Sequence, residues 1–368
     1  MRIIITGANG FIGKNLCLML RENNYHDIIE IDRETPRTEL NKHLEHADFI
    51  YHLAGVNRPK DDSEFFEGNT DLTYYIIEQL KLLNKKTPLV ISSSIQATQD
   101  NAYGKSKLLA ENAVKQYGIE THAPYFIYRF PNIFGKWSRP NYNSFIATFC
   151  HNILNNIDIT IDDPNSPITL VYIDDVCQNL ISLLNKSSTS CGFKNIIPEY
   201  VTTVGEVASL LQAFKESRNN LITEDVGTGF IRALYSTYLS HMSPKQFSYN
   251  IPSYADERGV FSEMLKTKSA GQFSFFTAHP GITRGGHYHH SKSEKFLVLK
   301  GKALFKFRNI LTDEYYELLV DSSSLKIIET IPGWSHDITN IGNDEMLVML
   351  WANEIFDRQK PDTYSAPL

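Results

Sequence analysis

Long apolar runs are missing from this chain of 368 residues. No stretch approaches the ~20 consecutive apolar residues of a membrane-spanning helix, so a membrane role is not expected. The opening "MRIIITGANG" carries an apolar run that glycine cuts off, too short for the core of a secretory signal. Cysteine is scarce: Cys17, Cys150, Cys177 and Cys191 are scattered without a C-x-x-C pair, as expected of reduced thiols in a cytoplasmic protein. Positive charge is not in excess. Lys and Arg number 36 against 42 Asp and Glu, and a net charge of −6 excludes the broad basic footprint of a nucleic-acid binder. Internal repeats and low-complexity tracts are also missing. What is present is the composition of a globular protein, 42% hydrophobic and 21% charged, at a length that suits two domains.

In the first half, "RIII" reads as a buried parallel strand. "TGANGFIG" follows directly, then the helical "KNLCLMLREN". Gly7, Gly10 and Gly13 therefore lie on a strand-to-helix turn, where backbone approaches a pyrophosphate closely and a helix N-terminus offers amide donors. A second strand, "DIIEID", ends at Asp32, where an acid can bind the adenine ribose. Arg33 follows at once and can instead take a 2′-phosphate. "PLVISSS" is a further strand, with Ser92, Ser93 and Ser94 at its carboxyl end. "AYGKSKLLAENAVKQYG" then reads as a helix with Tyr103 and Lys107 on one face. A cation beside a phenol favours the phenolate and lowers its pKa, so such a tyrosine can exchange a proton with a carbonyl or alcohol oxygen while a serine hydroxyl steadies it.

These segments, with "HLAG" (His52–Gly55), "RFPNIFG" (Arg129–Gly135) and "VYIDDV" (Val171–Val176), resemble the extended short-chain dehydrogenase/reductase family over about residues 1 to 243. The resemblance implies an α/β Rossmann domain with a nucleotide-sugar subdomain and Ser94, Tyr103 and Lys107 as catalytic residues. It also implies a nicotinamide cofactor contacted by Gly7, Asn9, Gly10, Phe11, Ile12, Gly13, Asp32, Arg33, Leu53, Ala54, Tyr103 and Lys107. Taken with Arg33, it favours NADPH. Where relatives often carry V-Y-G after the serine strand, this chain reads "IQATQDN".

Beyond Pro244 the text changes character. "FSFFTA", "KFLVLKG", "KALFKF", "YYELLV", "LKIIET" and "EMLVMLW" read as short strands separated by turns, the pattern of an all-β sandwich or barrel. The expected boundary separates residues 1–243 from 244–368. Within the second part the spacing is G-x5-H-x-H-x4-E-x6-G, from Gly281 through His287, His289 and Glu294 to Gly301. "PGWSHDITN" follows, centred on His336. Residues two apart on a strand share a face, so His287 and His289 can point inward together while Glu294 and His336 come from neighbouring strands. Three imidazoles and a carboxylate suit zinc or another divalent metal. His290 is expected to face outward, unless a bulge makes it a ligand in place of His287 or His289.

This two-part pattern is that of the cupin (jelly-roll) superfamily. "DERGVFSE" (Asp256–Glu263) and "PGITRGGHYH" (Pro280–His289) are similar to segments of the dTDP-4-dehydrorhamnose 3,5-epimerases. That likeness makes His287, near Arg284, the proton-abstracting base. Those epimerases have lysine where Glu294 stands, and their proton-donating tyrosine has no match in "LVMLWANEIFD". His287 thus stands as fourth ligand or as base. Over nearly all of its length the chain resembles the bifunctional capsular-polysaccharide enzymes of the UDP-N-acetyl-L-fucosamine pathway, the CapF type. That resemblance implies C3 epimerisation of a UDP-2-acetamido-2,6-dideoxy-4-hexulose in the cupin, NADPH-dependent C4 reduction in the first domain, zinc and a homodimer. The rivals are a single-function reductase whose cupin only binds or dimerises, a metal oxygenase carried on a reductase, and an NAD-dependent epimerase without net redox change.

Overall fold

The structure, a computed structural model, describes the chain apart from residues 186–189, 253, 257–258, 262–263, 268–270 and 355–358. The chain divides into two compact units. The first comprises residues 1–133, 142–144 and 168–201, the second residues 134–141, 145–167 and 202–368.

The first unit is built on a six-stranded parallel sheet. Its strands run, edge to edge, Ile28–Ile31, Ile3–Thr6, Phe49–His52, Leu89–Ser94, Tyr125–Phe130 and Gly192–Lys194. Ile4, Ile50, Leu89 and Ile127 form the sheet's share of a core completed by Ile76, Leu80, Val114 and Tyr117 from the helices, all eight inaccessible to solvent. A parallel sheet needs such cover, and its strands are accordingly β-branched and apolar. The chain leaves Ile3–Thr6 for the strand on one side and then crosses to Phe49–His52 on the other. That reversal opens a crevice at the strands' carboxyl ends, where Gly7 and the Leu53–Ala54 segment lie. This is the Rossmann arrangement expected.

The second unit holds two five-stranded antiparallel sheets. One is ordered Ser248–Asn250, Lys326–Glu329, Glu294–Lys300, Met346–Ala352 and Gln272–Ala278; the other Tyr315–Asp321, Lys302–Asn309, Trp334–Asn340, Thr283–Tyr288 and Tyr364–Ser365. Aromatic side chains from the two sheets meet between them: the Phe296 ring lies 5.8 Å from Phe305 and 6.2 Å from His336. These sheets are the cupin-like jelly roll that the strand pattern predicts. The helices Phe145–Leu154, Val204–Asn220 and Gly229–Ser240 belong to the same unit. Arg218 of the second of these helices and Lys295 of a sheet strand share the buried carboxylate of Glu329. A buried ion triad of this kind satisfies each charge locally rather than adding much net stability.

Candidate active sites

Gly7 sits at φ +69°, and a Cβ there would stand 2.7 Å from the Ala54 amide nitrogen. Any side chain would push the turn off the Phe49–His52 strand, so the first glycine is required by backbone shape and by close approach together. The helix Phe11–Glu22 begins at Gly10 with no side-chain cap, which leaves its first amides for an anion. Asp32 is bound on both oxygens: Oδ1 accepts from the Glu34 and Thr35 amides at 2.9 and 3.1 Å, and Oδ2 accepts from Asn9 Nδ2 at 3.0 Å. These bonds hold its carboxyl below the usual range. Arg33 is exposed and makes no ion pair or hydrogen bond among the described residues. The turn fits a dinucleotide's phosphates, with Asp32 shaping the loop that presents Arg33.

Ser94, Tyr103 and Lys107 converge at the end of the serine strand. Asn101 caps the helix Ala102–Thr121, accepting from the Gly104 amide at 2.7 Å, and so fixes where Tyr103 starts its first turn. Tyr103 hydrogen-bonds Ser94, yet burial carries its pKa above the ordinary value. This corrects the sequence expectation of a lowered phenol. Burial is the reason, and Lys107 does not offset it: its Nζ donates to the Ser92 carbonyl at 3.1 Å and stands 5.9 Å from the centre of the Tyr103 ring. Burial pulls the ammonium itself down to about 8, against the opposing attraction of Glu111.

Two further groups in this region were not foreseen. Glu111, one turn beyond Lys107, is fully buried and accepts from Ser93 Oγ at 2.5 Å and from Arg129 Nε at 2.8 Å. Asn69 lies on the π-helical stretch Phe66–Asp71, a helix type that often marks functional sites. It brackets Val56 through both backbone groups and donates to Ser106 Oγ at 3.0 Å. A Cβ on Gly55 would lie 2.7 Å from Asn69 Oδ1 and 2.9 Å from Lys107 Nζ, so only glycine lets all three share this space. The signal in the sequence was Gly55 itself, at the end of "HLAG".

In the second unit, His287, His289, Glu294 and His336 bring one ligand atom each to within 4.8 Å of one another. His289 Nε2 lies 3.1 Å and His336 Nε2 3.4 Å from the same Glu294 Oε2. The two spacings at Glu294 are those of donors ~2 Å from one ion. The widest separation in the group, up to 4.8 Å, is more than such donors span; the residue types suit a divalent metal, and small side-chain rotations would close the set on it. His287 and His336 are cross-strand partners. Two details differ from the expected placement. His289 lies just past the end of the strand Thr283–Tyr288, and Glu294 comes from the facing sheet rather than from a neighbouring strand. The chain bulges between Gly285 and His287, but His290 stays out of the donor group, its ring 4.9 Å from that of Tyr364. His289, Glu294 and His336 are buried, whereas His287 is only partly so. Arg284 Nη1 donates to the Thr277 carbonyl at 2.8 Å, and its guanidinium lies 5.1 Å from the centre of the Phe276 ring. The segment Asp256–Glu263 falls partly outside the described residues.

Residues 3–193 match the NAD dependent epimerase/dehydratase family, and residues 254–364 match the polysaccharide biosynthesis C-terminal domain. The chain is 52% identical to the UDP-2-acetamido-2,6-beta-L-arabino-hexul-4-ose reductase of Pseudomonas aeruginosa over 365 residues, covering 99% of this chain and 98% of that one. The crystal structure of capsular polysaccharide assembling protein CapF from Staphylococcus aureus matches with a TM-score of 0.68 at 41% identity, both chains covered in full. UDP-glucuronic acid 4-epimerase from Bacillus cereus, in complex with NAD, shares the fold at 22% identity and a TM-score of 0.53, over 58% of this chain and 84% of its own. The chain thus belongs to the NAD dependent epimerase/dehydratase family and, over its whole length, to the family of the UDP-2-acetamido-2,6-beta-L-arabino-hexul-4-ose reductases.

Proposed function

We propose that this protein is a bifunctional sugar-nucleotide enzyme of capsular-polysaccharide precursor synthesis. Its reductase part, residues 1–243, reduces the C4 ketone of a UDP-linked 2-acetamido-2,6-dideoxy-4-hexulose, and its cupin, residues 244–368, first epimerises C3. The observation that carries the reductase reading is the meeting of Ser94, Tyr103 and Lys107 at the end of the serine strand, in a chain alike over its full length to a 4-keto sugar reductase. The Gly7–Gly13 turn, Asp32, Arg33, Leu53 and Ala54 would hold a reduced nicotinamide, whose chemistry would be hydride donation to C4. Tyr103, kept protonated by burial, gives its proton to the C4 oxygen while Ser94 hydrogen-bonds that oxygen. Lys107, its Nζ 5.9 Å from the centre of the Tyr103 ring, adds positive charge near the oxygen where negative charge develops. Arg33, exposed and without an ion pair among the described residues, favours NADPH.

The epimerase reading rests on the four-donor group. A ketone at C4 acidifies the C3 hydrogen, so a base can remove it and the enediolate can take a proton on the other face. His289, Glu294 and His336 would hold a divalent cation, zinc by the donor set, whose Lewis acidity would favour charge on a substrate oxygen. His287, the least buried of the four, stands at the open side as base or fourth ligand. Reduction at C4 then removes the acidity that made epimerisation reversible. The Pseudomonas aeruginosa relative is named as a reductase, which favours a second reading: a single-function reductase whose cupin binds or dimerises. The exposed Phe273 and Phe275 on a sheet edge strand support a homodimer in either case. Among the described residues no helix is long and apolar enough to cross a membrane, and the reading places the enzyme in the cytoplasm.

The test is incubation with the UDP-4-keto sugar in heavy water, with and without NADPH. Deuterium at C3 without cofactor, followed by C4 reduction when NADPH is added, is the expected result. Reduction without any exchange at C3 leaves the single-function reductase.

A further inference from the structure

The donor loop His289–Glu294 carries two of the four donors within six residues. Its five successive amides from His290 to Glu294 are all bound by side chains. The Asp362 carboxylate accepts from the amides of His290 at 2.8 Å, Ser291 at 2.7 Å and Lys292 at 2.7 Å. Asn353 Oδ1 takes the Ser293 amide at 3.0 Å, and Thr330 Oγ1 takes the Glu294 amide at 2.9 Å. Asp362 acts twice, because its backbone carbonyl also faces His289 Nδ1. Immediately after it, Tyr364–Ser365 pairs with the strand carrying His287. Asp362 is itself steadied by Arg232 Nη2 at 3.5 Å.

Backbone amides of Gly333, Asn353 and Thr330 hold the carbonyls of His289, Ser293 and Glu294, but the amides of residues 290–294 go to side chains, so removing one acceptor frees several amides at once. An Nδ1–H bound to a carbonyl fixes the tautomer and turns the Nε2 lone pair toward the donor group. On the far side of the loop, Lys292 Nζ lies 2.8 Å from Glu294 Oε1, which leaves Oε2 as the oxygen facing the histidines. We infer that Asp362 is the positioning residue of the metal centre: it shapes the donor loop through three amides and sets the His289 tautomer through its carbonyl. This rests on the metal-binding reading of the four donors given above.

The test compares full-length wild type with Asp362→Ala and Asp362→Asn, checking the fold of each by circular dichroism. Zinc affinity is measured by competition with a chelator, and cobalt(II) replaces zinc to report donor geometry by its visible absorption. Selective nitrogen-15 labelling of histidine in the metal-free chain reports whether His289 carries its proton on Nδ1. We expect Asp362→Ala to weaken zinc about 10–100-fold, the range for outer partners of metal ligands, with an altered cobalt spectrum and a weakened Nδ1 proton signal, because the carbonyl that the variant keeps is no longer held against His289 once the three amides are freed. Asp362→Asn, which keeps the size and one acceptor, should fall between. Wild-type affinity and an unchanged cobalt spectrum in Asp362→Ala, with only a lowered melting temperature, would make Asp362 a mere anchor and overturn the inference. A wild-type chain that takes up neither zinc nor cobalt would instead overturn the metal reading itself. Should the alanine variant fail to fold, the asparagine variant and the nitrogen-15 signal decide the question.

Discussion

At Gly7, a clearance of 2.7 Å to the Ala54 amide decides the matter; at His287, four side chains from three strands and a loop must arrive together. The parallel-sheet site is written into short stretches, with its glycines inside one turn and Tyr103 and Lys107 one helical turn apart. Its chemistry comes from backbone amides and from burial, which raises Tyr103 and lowers Lys107. The four-donor group draws on facing sheets, and its order depends on residues up to 73 positions away, as between His289 and Asp362. The difference teaches that a site made by local geometry tolerates change elsewhere, while a site made by convergence fails when any supporting strand or loop shifts.

The largest expected effect separates the two regions outright. Glu294→Gln or His336→Ala should bring bound zinc from stoichiometric to background and stop deuterium uptake at C3. Reduction of an already epimerised ketone should continue. Metal analysis with the exchange assay checks this. Fully active exchange in wild-type protein that contains no metal would show that the cluster only hydrogen-bonds, as His289 and Glu294 do here. Tyr103→Phe makes the complementary break. Loss of a positioned proton donor costs about 10²–10⁴-fold, so cofactor oxidation should fall by that factor while exchange at C3 persists. A well-folded variant that loses both activities would mean that the two regions do not work separately.

Sequence patterning announced each region in proportion to how local it is. The strand–glycine–helix spacing and the Tyr–Lys pair need only period 3.6 and a turn, and both lie where the pattern puts them. The three histidines and the glutamate of the second half were legible as donors, because few other structures need that spacing. Which sheet Glu294 would come from was not legible, since strand order is set by pairing across long gaps. The supporting residues were hidden for the same reason. Asp362, Asn353 and Thr330 carry no motif, and only the folded chain brings them to five successive amides. Tyr103's raised pKa was missed because helical spacing says that Lys107 is near but not that its ammonium is turned to the Ser92 carbonyl.

A smaller effect sharpens the cofactor end of the comparison. If Arg33 meets the 2′-phosphate, the lost charge-assisted contact is worth ~1.5–3 kcal/mol, about 10–100-fold in affinity. Arg33→Ala should therefore raise KM for NADPH by that factor and leave NADH nearly unchanged. Equal losses with the two cofactors would return the preference to Asp32.

The smallest effect concerns what the parallel-sheet site costs the fold. Lys107 is buried, and its pKa falls from 10.5 to about 8. Below pH 8 it is charged in both the folded and the unfolded chain, so the full cost of burying the ammonium is borne there. Between pH 8 and 10.5 the unfolded chain holds a proton that the folded one has released, and stability rises with pH as that cost is relieved. The shift amounts to about 3 kcal/mol, of which the lost bond to the Ser92 carbonyl would take back roughly 1–2 kcal/mol on substitution. Lys107→Met, similar in length and uncharged, should therefore abolish reduction yet raise the melting temperature of the cofactor-free chain at pH 7 by a few degrees. The gain should shrink as pH rises from 8 toward 10.5. Calorimetry across that range checks both sign and slope. A variant less stable than wild type at pH 7 would show that the Ser92 bond and the attraction of Glu111 outweigh burial, and that the reductase site stabilises the fold that holds it.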